Sequence, residues 1–409
     1  MLQLLTRLLK SPNLLTGLYV GLSGLAFAAA NIILASVQTI DDYAIFALVV
    51  AVITLSSRIG LLGADGMVNR HDIAPDARMF YRVASTGLIA GIFTASIMFN
   101  YYDVGISIAF LLIIAVTMLA IIFFAAAYFQ SRQDFQLSLI LLNSFNFVLL
   151  AVALTAMANL WQGTLALLVL TTVLLVLVAI FCVVVVIHKY QSVVSGFEYD
   201  WREAVAYVSI VGSASVLVQL ERLLTPQLLE LKDLATLGVL LAIVGPPFRL
   251  LQMTLGYVLL PKLRAARGPT ETKLMIKREV GVALAFLVPS WLFAWVLVPI
   301  IDSYFFGDKY QLSAMLIFSV IFAGTAKVLN GIARASVAAL ASAKQMEAIG
   351  ISGWIGVALS IAGAYYGASF GLGGIVYGVS AGWIMRLIIA VMFVRKYVGA
   401  MPPVSSAKD

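Results

Sequence analysis

Long apolar runs alternate with short polar segments along the whole chain. Twelve of these runs reach about 20 residues, the length that an α-helix needs to cross a bilayer core about 30 Å thick. Their approximate bounds are 13–37, 42–64, 83–100, 104–128, 137–158, 163–187, 203–229, 234–260, 280–301, 312–341, 347–368 and 373–394. The pattern predicts an all-α polytopic membrane protein with about twelve transmembrane helices.

The composition agrees with a membrane protein and excludes most other classes. Of the 409 residues, 62% are hydrophobic and 11% are charged, and the mean hydropathy is +1.04. Soluble proteins carry about 25% charged residues, so cytosolic enzymes, DNA-binding proteins and secreted modules are excluded. The net charge of +7 is scattered between the apolar runs instead of forming a basic patch, so we expect no nucleic-acid partner.

The distribution of lysine and arginine predicts the orientation in the membrane, because short cytoplasmic loops retain positive charge during insertion. With the N-terminus inside, 18 of the 26 Lys and Arg residues fall in inside segments, and only Lys232 and Lys309 fall in outside loops. An even number of spans then places both termini in the cytoplasm. The first apolar run is of spanning length, so we expect no cleavable signal peptide.

The sequence offers no recognisable catalytic apparatus. The outside loops hold at most about ten residues each, too few for a catalytic domain. No phosphate-binding loop, zinc-protease motif or nucleophile elbow occurs. His71 and His188 lie in predicted inside loops, and the single cysteine, Cys182, permits neither an intrachain disulfide nor a metal cluster. We therefore expect no enzymatic activity, no metal and no resident cofactor.

A weak internal duplication predicts two lobes. Asp42 and Asp233 open the second and eighth spans, and each is followed sixteen residues later by an arginine, Arg58 or Arg249. The offset covers six helices, so the halves would share one orientation, as in transporters with parallel repeats and a substrate site between them. We place the lobes at 1–190, with helices one to six, and 191–409, with helices seven to twelve. Chance similarity remains the alternative.

Charged side chains inside the spans are the strongest functional signal. Each costs about 2.5–3.5 kcal/mol near a helix centre. Six cations lie within predicted spans: Arg58, Arg222, Arg249, Lys327, Arg334 and Arg386. The only acids at comparable positions are Glu221 and Glu230, too few to neutralise the set. The excess predicts a hydrated cationic cavity for an anionic guest.

Two local patterns refine this prediction. Lys327, Asn330 and Arg334 follow one face of the tenth span, where a polar stripe should face a cavity. Pro246 and Pro247 should interrupt the eighth helix just before Arg249, as broken helices do at transporter sites.

The alternatives are structural roles for the same residues. Arg58, Arg334 and Arg386 could instead extend to headgroups at the inner boundary. Arg222 could form a structural ion pair with Glu221 or Glu230, and the proline pair could cause only a packing kink.

Glycines near the C-terminus predict close packing of the last two spans. Gly363 and Gly367 are spaced four residues apart, and Gly374, Gly378 and Gly382 repeat that spacing. Small residues at this interval let two helix backbones approach each other closely.

Several segments resemble a known transporter family. The resemblance is carried by a small-residue segment at the end of span two, Gly60 to Arg70, and by parts of spans seven and eight. These parts are Gln219 to Leu224, Leu234 to Arg249, and Leu259-Leu260-Pro261 at the end of span eight. They are similar to the Wzx-type lipid-linked oligosaccharide flippases of the multidrug/oligosaccharidyl-lipid/polysaccharide (MOP) exporter superfamily. That family usually has Asp-Arg where this chain has Glu221-Arg222.

The resemblance implies a flippase in the bacterial cytoplasmic (inner) membrane. Such a protein moves an undecaprenyl-pyrophosphate-linked repeat unit, a precursor of O-antigen or exopolysaccharide, from the cytoplasmic to the periplasmic leaflet by alternating access through a cationic central cavity. The resemblance also implies coupling to H⁺ or Na⁺, for which Glu221 is our candidate, and partners such as a polysaccharide polymerase and a chain-length regulator. The alternatives are a multidrug antiporter of the same superfamily and a non-transporting membrane scaffold for polysaccharide assembly.

Overall fold

Twelve long α-helices make up most of the part of the chain that the computed structural model describes, which comprises residues 12–71, 77–189, 201–266, 268–307, 309–341 and 343–400. No strand occurs in these ranges. The helices are α1 (Pro12–Val37), α2 (Ile40–Gly60), α3 (Ala77–Tyr101), α4 (Ile106–Ser131), α5 (Phe135–Met157), α6 (Thr164–Lys189), α7 (Trp201–Leu228), α8 (Leu231–Ala265), α9 (Pro269–Ile301), α10 (Ala314–Leu340), α11 (Ala343–Gly367) and α12 (Gly371–Ala400). The number, order and type of the predicted spans are confirmed.

Short elements join the long helices. A connecting helix, Ala64–His71, follows α2, a π-helical turn, Asp302–Phe306, follows α9, and a 3₁₀ turn, Ala368–Phe370, separates α11 from α12. By length and hydropathy, eleven segments of the described chain are able to cross a membrane, because α11 and α12 count together as Ala348–Gly399. The orientation of the termini remains a prediction.

Several helices extend beyond their apolar runs. α9 begins at Pro269 instead of 280, so Lys273, Lys277 and Arg278 lie on its first turns and not in a loop. α8 likewise continues to Ala265. Hydropathy detects only the part of a helix that suits hydrocarbon, whereas backbone hydrogen bonds are satisfied equally well in turns that project into water.

The prediction that Pro246 and Pro247 interrupt the eighth helix is wrong, because α8 is continuous over 35 residues. Proline lacks the N–H that would bond four residues back, so the carbonyls of Ala242 and Ile243 lose their helical donors. The fixed φ of proline is nevertheless helical, and the turns on both sides hold the chain in register. The prolines therefore weaken α8 locally without ending it.

The chain forms two compact units, Met1–Ala242 and Ile243–Asp409. Their boundary falls within α8, at the two carbonyls that the prolines leave without helical donors. The predicted lobe boundary at 190/191 lies in a segment outside the described residues, and the two-lobe division at that point remains a prediction.

The N-terminal unit is built around α4. This helix packs against α2, α3, α5, α6 and the connecting helix, and its most buried residues form an almost continuous run from Ala115 to Phe129. A helix that is apolar on all sides is expected at the centre of such a bundle. Beside it, α1 and α5 are joined by a buried polar network in which Ser23 donates to Asn143 (2.8 Å) and Asn146 donates to Ser23 (2.6 Å).

Glycines explain the close contact of α11 with α12 in the C-terminal unit. A Cβ atom on Gly363 would lie 2.6 Å from the carbonyl oxygen of Gly378, and Gly367 and Gly374 meet in the same way. Ser360 also donates to the carbonyl of Val379 across the pair (2.7 Å). The predicted glycine packing is therefore confirmed, and α12 further contacts α10 and α9.

The small residues of the Gly60–Arg70 segment also serve packing. A Cβ on Gly60 would be 3.1 Å from the Cα of Gly87, and one on Gly66 would be 2.5 Å from the ring of Tyr207 in α7. Gly63 has φ +75°, which glycine adopts without strain, and it lies directly against the backbone of Ala204. Gly63 and Gly66 thus seat the connecting helix on α7.

We expect Gly363→Ala to destabilise the protein by about 1–3 kcal/mol, because the added methyl group must separate two backbones in contact. Thermal unfolding of the purified protein in detergent measures the effect. Gly281→Ala in α9 is the matched control, since no neighbouring atom lies within 4 Å of the position that its methyl group would occupy. Equal stability of the two variants would contradict the packing account.

The orientation can be tested with single cysteines, because the native Cys182 is buried and can be replaced by alanine. Gln162 lies between α5 and α6 and Lys273 lies on the first turns of α9, and both are exposed. In intact cells a membrane-impermeant maleimide should label Gln162→Cys, while Lys273→Cys should react only after lysis. The reverse labelling pattern would place the termini outside.

Candidate functional site

The candidate residues divide between the two compact units. Arg58, Glu221 and Arg222 belong to the N-terminal unit, and the others belong to the C-terminal unit. Those others are Arg249, Lys327, Asn330, Arg334 and Arg386.

Two cations of the C-terminal unit share one tryptophan ring. The Lys327 ammonium of α10 and the Arg386 guanidinium of α12 each lie 6.0 Å from the ring centroid of Trp383. Arg334 lies near enough to Arg386 for the two guanidinium groups to repel each other. The structure thus brings together three of the six cations that the sequence singled out.

Helix packing fixes the position of Arg386. Its stem crosses α11 at Gly356, where a Cβ atom would be 3.0 Å from Arg386 Cγ and 3.2 Å from the carbonyl oxygen of Gly382. Gly382 in turn packs on the Gly356 backbone. Arg386 is 8% exposed and Trp383 is 2% exposed, so both side chains are held inside the unit.

The predicted polar stripe of α10 changes in burial along its length. Lys327 is half-buried, Asn330 is buried, and Arg334 is exposed. The stripe therefore does not present one uniformly open face. Asn330 lies within the packing, while Lys327 and Arg334 are the members that reach the surface.

Arg249 has a different environment from its predicted repeat partner. Its side chain is exposed, whereas the preceding Phe248 is buried and its ring would lie 2.8 Å from a Cβ atom on Gly324 of α10. Arg58 instead is half-buried, with its guanidinium 3.7 Å from the ring centroid of Phe123 in α4. The two arginines are thus not equivalent in their contacts.

Glu221 and Arg222 lie in a buried polar region of the N-terminal unit. Glu221 is fully buried, and its backbone carbonyl accepts a hydrogen bond from Thr225. Arg222 donates to Gln219 (3.4 Å), and its guanidinium lies 5.9 Å from the ring centroid of Phe27 in α1. Arg222 is also within electrostatic range of Glu221.

Aromatic rings are the common feature of the shielded cations. Four of the six candidate cations are not exposed, namely Arg58, Arg222, Lys327 and Arg386. Each of these four lies over a phenylalanine or tryptophan ring. A ring face attracts a cation through its quadrupole but carries no net charge, so these contacts hold the cations without neutralising them.

The aromatic partners were missed by sequence reasoning. Trp383 could have been found, because it lies three residues before Arg386 and so on the same face of one helix. Phe123 and Phe27 could not, since they come from other helices. In the described part of the chain, no group of three His, Cys, Asp or Glu side chains is placed to hold a metal ion.

Known structures share this architecture along nearly the whole chain. A MATE protein solved in complex with MaL6 is 13% identical, with 95% of both chains covered and a TM-score of 0.63. An outward-facing multidrug resistance MATE family transporter of the MOP superfamily is 14% identical, with 96% of this chain and 98% of that chain covered and a TM-score of 0.60.

A third similar structure is a MOP superfamily transporter from Pyrococcus furiosus, for which a reverse polarity of the binding pocket suggests a different function. It is 12% identical, with 95% of both chains covered and a TM-score of 0.59. No protein-family model and no curated protein matches the chain. The protein therefore has the all-helical fold of MATE transporters in the MOP superfamily.

Proposed function

We propose that this protein is a MOP-type flippase that moves an undecaprenyl-pyrophosphate-linked oligosaccharide repeat unit from the cytoplasmic to the periplasmic leaflet of a bacterial inner membrane. The cargo would carry its charge on the pyrophosphate, while its lipid chain stays in the bilayer. A polysaccharide polymerase and a chain-length regulator are the partners that this role requires downstream.

The cationic cluster around Trp383 is the observation that carries the proposal. α10, α11 and α12 together contain six Lys and Arg residues but only one acid, Glu347. Lys327 and Arg386 share the ring of Trp383, and a ring face carries no net charge of its own. A pyrophosphate has several anionic oxygens, and guanidinium groups bind such oxygens in a bidentate manner.

The fold supports transport as the activity, because the MATE proteins that share it include transporters of the MOP superfamily. The Pyrococcus furiosus protein adds a precedent for a pocket of reversed polarity in the same superfamily. A cationic site in a MATE-like fold is consistent with anionic cargo.

Multidrug transport is the second candidate, because multidrug resistance transporters are among the structures that share the fold. An exporter of organic cations should place carboxylates along its pathway. The described spans instead place Lys and Arg over aromatic rings, which disfavours a cationic drug by direct repulsion. A scaffold without transport activity has no observation in its favour.

Flipping in proteoliposomes tests the transport proposal. We expect Arg58→Ala and Arg249→Ala to lower the flipping rate of a fluorescent lipid-linked oligosaccharide about tenfold or more, because a charged hydrogen bond contributes about 1.5–3 kcal/mol. Lys277→Ala, at an exposed cation on the first turns of α9, should leave the rate unchanged.

One result would contradict the assignment of the two arginines, and two others would contradict the proposed function. Normal flipping by both arginine variants would remove these residues from the pathway. Efflux of an organic cation dye without flipping would support the multidrug alternative, and neither activity in a well-expressed, partner-binding protein would support a scaffold.

Coupling to H⁺ or Na⁺ is proposed to act through Glu221, which is fully buried beside Arg222. If Glu221 exchanges a proton during transport, Glu221→Gln should flatten the pH dependence of flipping. Glu230→Gln is the matched control, because Glu230 is exposed and pairs with Lys232 at 2.7 Å. An unchanged pH profile in Glu221→Gln would assign Glu221 a structural role with Arg222.

A further inference from the structure

An open groove lies on the first turns of α3, within the N-terminal unit. It has a volume of about 550 Å³ and is lined by Arg78, Tyr81, Arg82 and Ser85. These residues are spaced three and four apart along the helix, so they share one of its faces. A groove of this volume is large enough for a small ligand or a headgroup. None of the six candidate cations contributes to it.

The two arginines make this groove suitable for an anion. Arg78 and Arg82 lie one helical turn apart, and both are exposed. Arg82 has further interactions with its surroundings, but a guanidinium group carries several N–H donors, of which a single partner takes up only some. Guanidinium groups match the geometry of phosphate oxygens and bind them in a bidentate manner. The groove therefore offers donors in the arrangement that a phosphate group requires.

Aromatic side chains place this end of α3 at the level of lipid headgroups. The guanidinium of Arg82 lies 6.0 Å from the ring centroid of Trp201, the first residue of α7, and both Trp201 and Tyr81 are exposed. Tryptophan and tyrosine are enriched at membrane–water interfaces, because their rings are apolar and their tips are polar. The segment of α3 that is able to cross a membrane begins at Arg78. The groove thus lies where a span enters the bilayer.

The face of α3 that carries the groove continues as an apolar stripe. Leu88, Ile89, Ile92 and Phe93 follow the groove residues at helical spacing, and all four are exposed. From Arg82 to Phe93 the helix rises about 16 Å, which is about the depth of one leaflet in a hydrocarbon core about 30 Å thick. One face of α3 therefore presents cations first and apolar side chains along the depth of a leaflet. An anionic phospholipid has its groups in the same order.

We infer that the groove and the adjoining stripe of α3 form a binding site for an anionic phospholipid of the bilayer. Arg78 and Arg82 hold the headgroup phosphate, Tyr81 and Trp201 lie beside it at headgroup level, and an acyl chain follows the helix past Ile89. Basic sites at the ends of membrane spans bind anionic headgroups in this way. In the predicted orientation the lipid belongs to the cytoplasmic leaflet. The inference does not depend on the proposed function, because it concerns a lipid of the bilayer and not the cargo.

Native mass spectrometry of the purified full-length protein tests the site, with phosphatidylglycerol or phosphatidylcholine added to the detergent. We expect the first phosphatidylglycerol to bind the wild-type protein about tenfold or more tightly than phosphatidylcholine. Arg78→Gln/Arg82→Gln should abolish this preference, because charged contacts to the phosphate are lost while glutamine maintains the helix. Lys273→Gln/Lys277→Gln is the matched control, since these two exposed lysines have the same four-residue spacing on the first turns of α9 and their replacement removes the same charge.

Thermal unfolding gives a second readout, because a ligand that binds the folded state raises the melting temperature. Phosphatidylglycerol should raise the melting temperature of the wild-type protein and of the lysine variant, but not that of the arginine variant. In phosphatidylcholine all three proteins should melt alike, since the four substituted side chains are exposed. This comparison separates lost lipid binding from a folding defect.

Three results would overturn the site. Equal loss of phosphatidylglycerol in the two double variants would show a general attraction of basic surfaces for anionic lipid. Equal affinity of the wild-type protein for both lipids would remove the selection for negative charge. Displacement of phosphatidylglycerol by undecaprenyl diphosphate at about tenfold lower concentration would assign the groove to the cargo and exclude a bilayer phospholipid as its occupant.

Discussion

The cost of holding cationic side chains among apolar helices is the constraint on which the site depends. Carboxylates would offset that cost most directly, but they would also cancel the charge. This protein places its four shielded candidate cations over aromatic rings. A ring provides a favourable electrostatic surface for the cation and excludes water from one side, and it carries no net charge that would cancel the charge of the cation.

Backbone packing determines where those rings and cations meet. Glycines bring α11 and α12 into close contact. The side chain of Arg386 can cross α11 there because residue 356 is a glycine and leaves room for it. The same principle applies in the N-terminal unit, where Gly63 and Gly66 seat the connecting helix against α7. The small residues are therefore not a binding motif themselves, but they position the helices that carry the charged side chains.

The difference between Arg58 and Arg249 shows how far an internal repeat can be used to infer function. Ala51 and Ala242, which lie nine residues after Asp42 and Asp233, are both fully buried, as expected for helices that share a pattern. The matched arginines differ, because Arg58 contacts the ring of Phe123 and Arg249 is exposed. The two halves of the repeat are thus similar in the burial of matched apolar residues, but they differ in the electrostatic environment of matched arginines. In general, an exposed guanidinium group attracts an anion over a distance, whereas a shielded group on a rigid scaffold defines the position of an anion, because its geometry is set before the anion arrives.

The amino-acid sequence alone was sufficient to predict the twelve helices and their order, because a bilayer requires about 20 apolar residues for each span. It also identified the six cations, since charge inside an apolar run is conspicuous whatever the fold, and it identified the α11–α12 glycine contact from a spacing within single helices. The prediction from sequence failed at Pro246-Pro247, because the helical turns on both sides outweighed the tendency of proline to end a helix. It also failed at helix ends, because hydropathy does not distinguish a helical turn that projects into water from a loop. The packing of the helices was needed to show which cations are shielded and by which rings, because Phe123 and Phe27 reach their cations through contacts between helices. Helix formation is governed by local apolar length, whereas the site depends on distances between segments far apart in the chain.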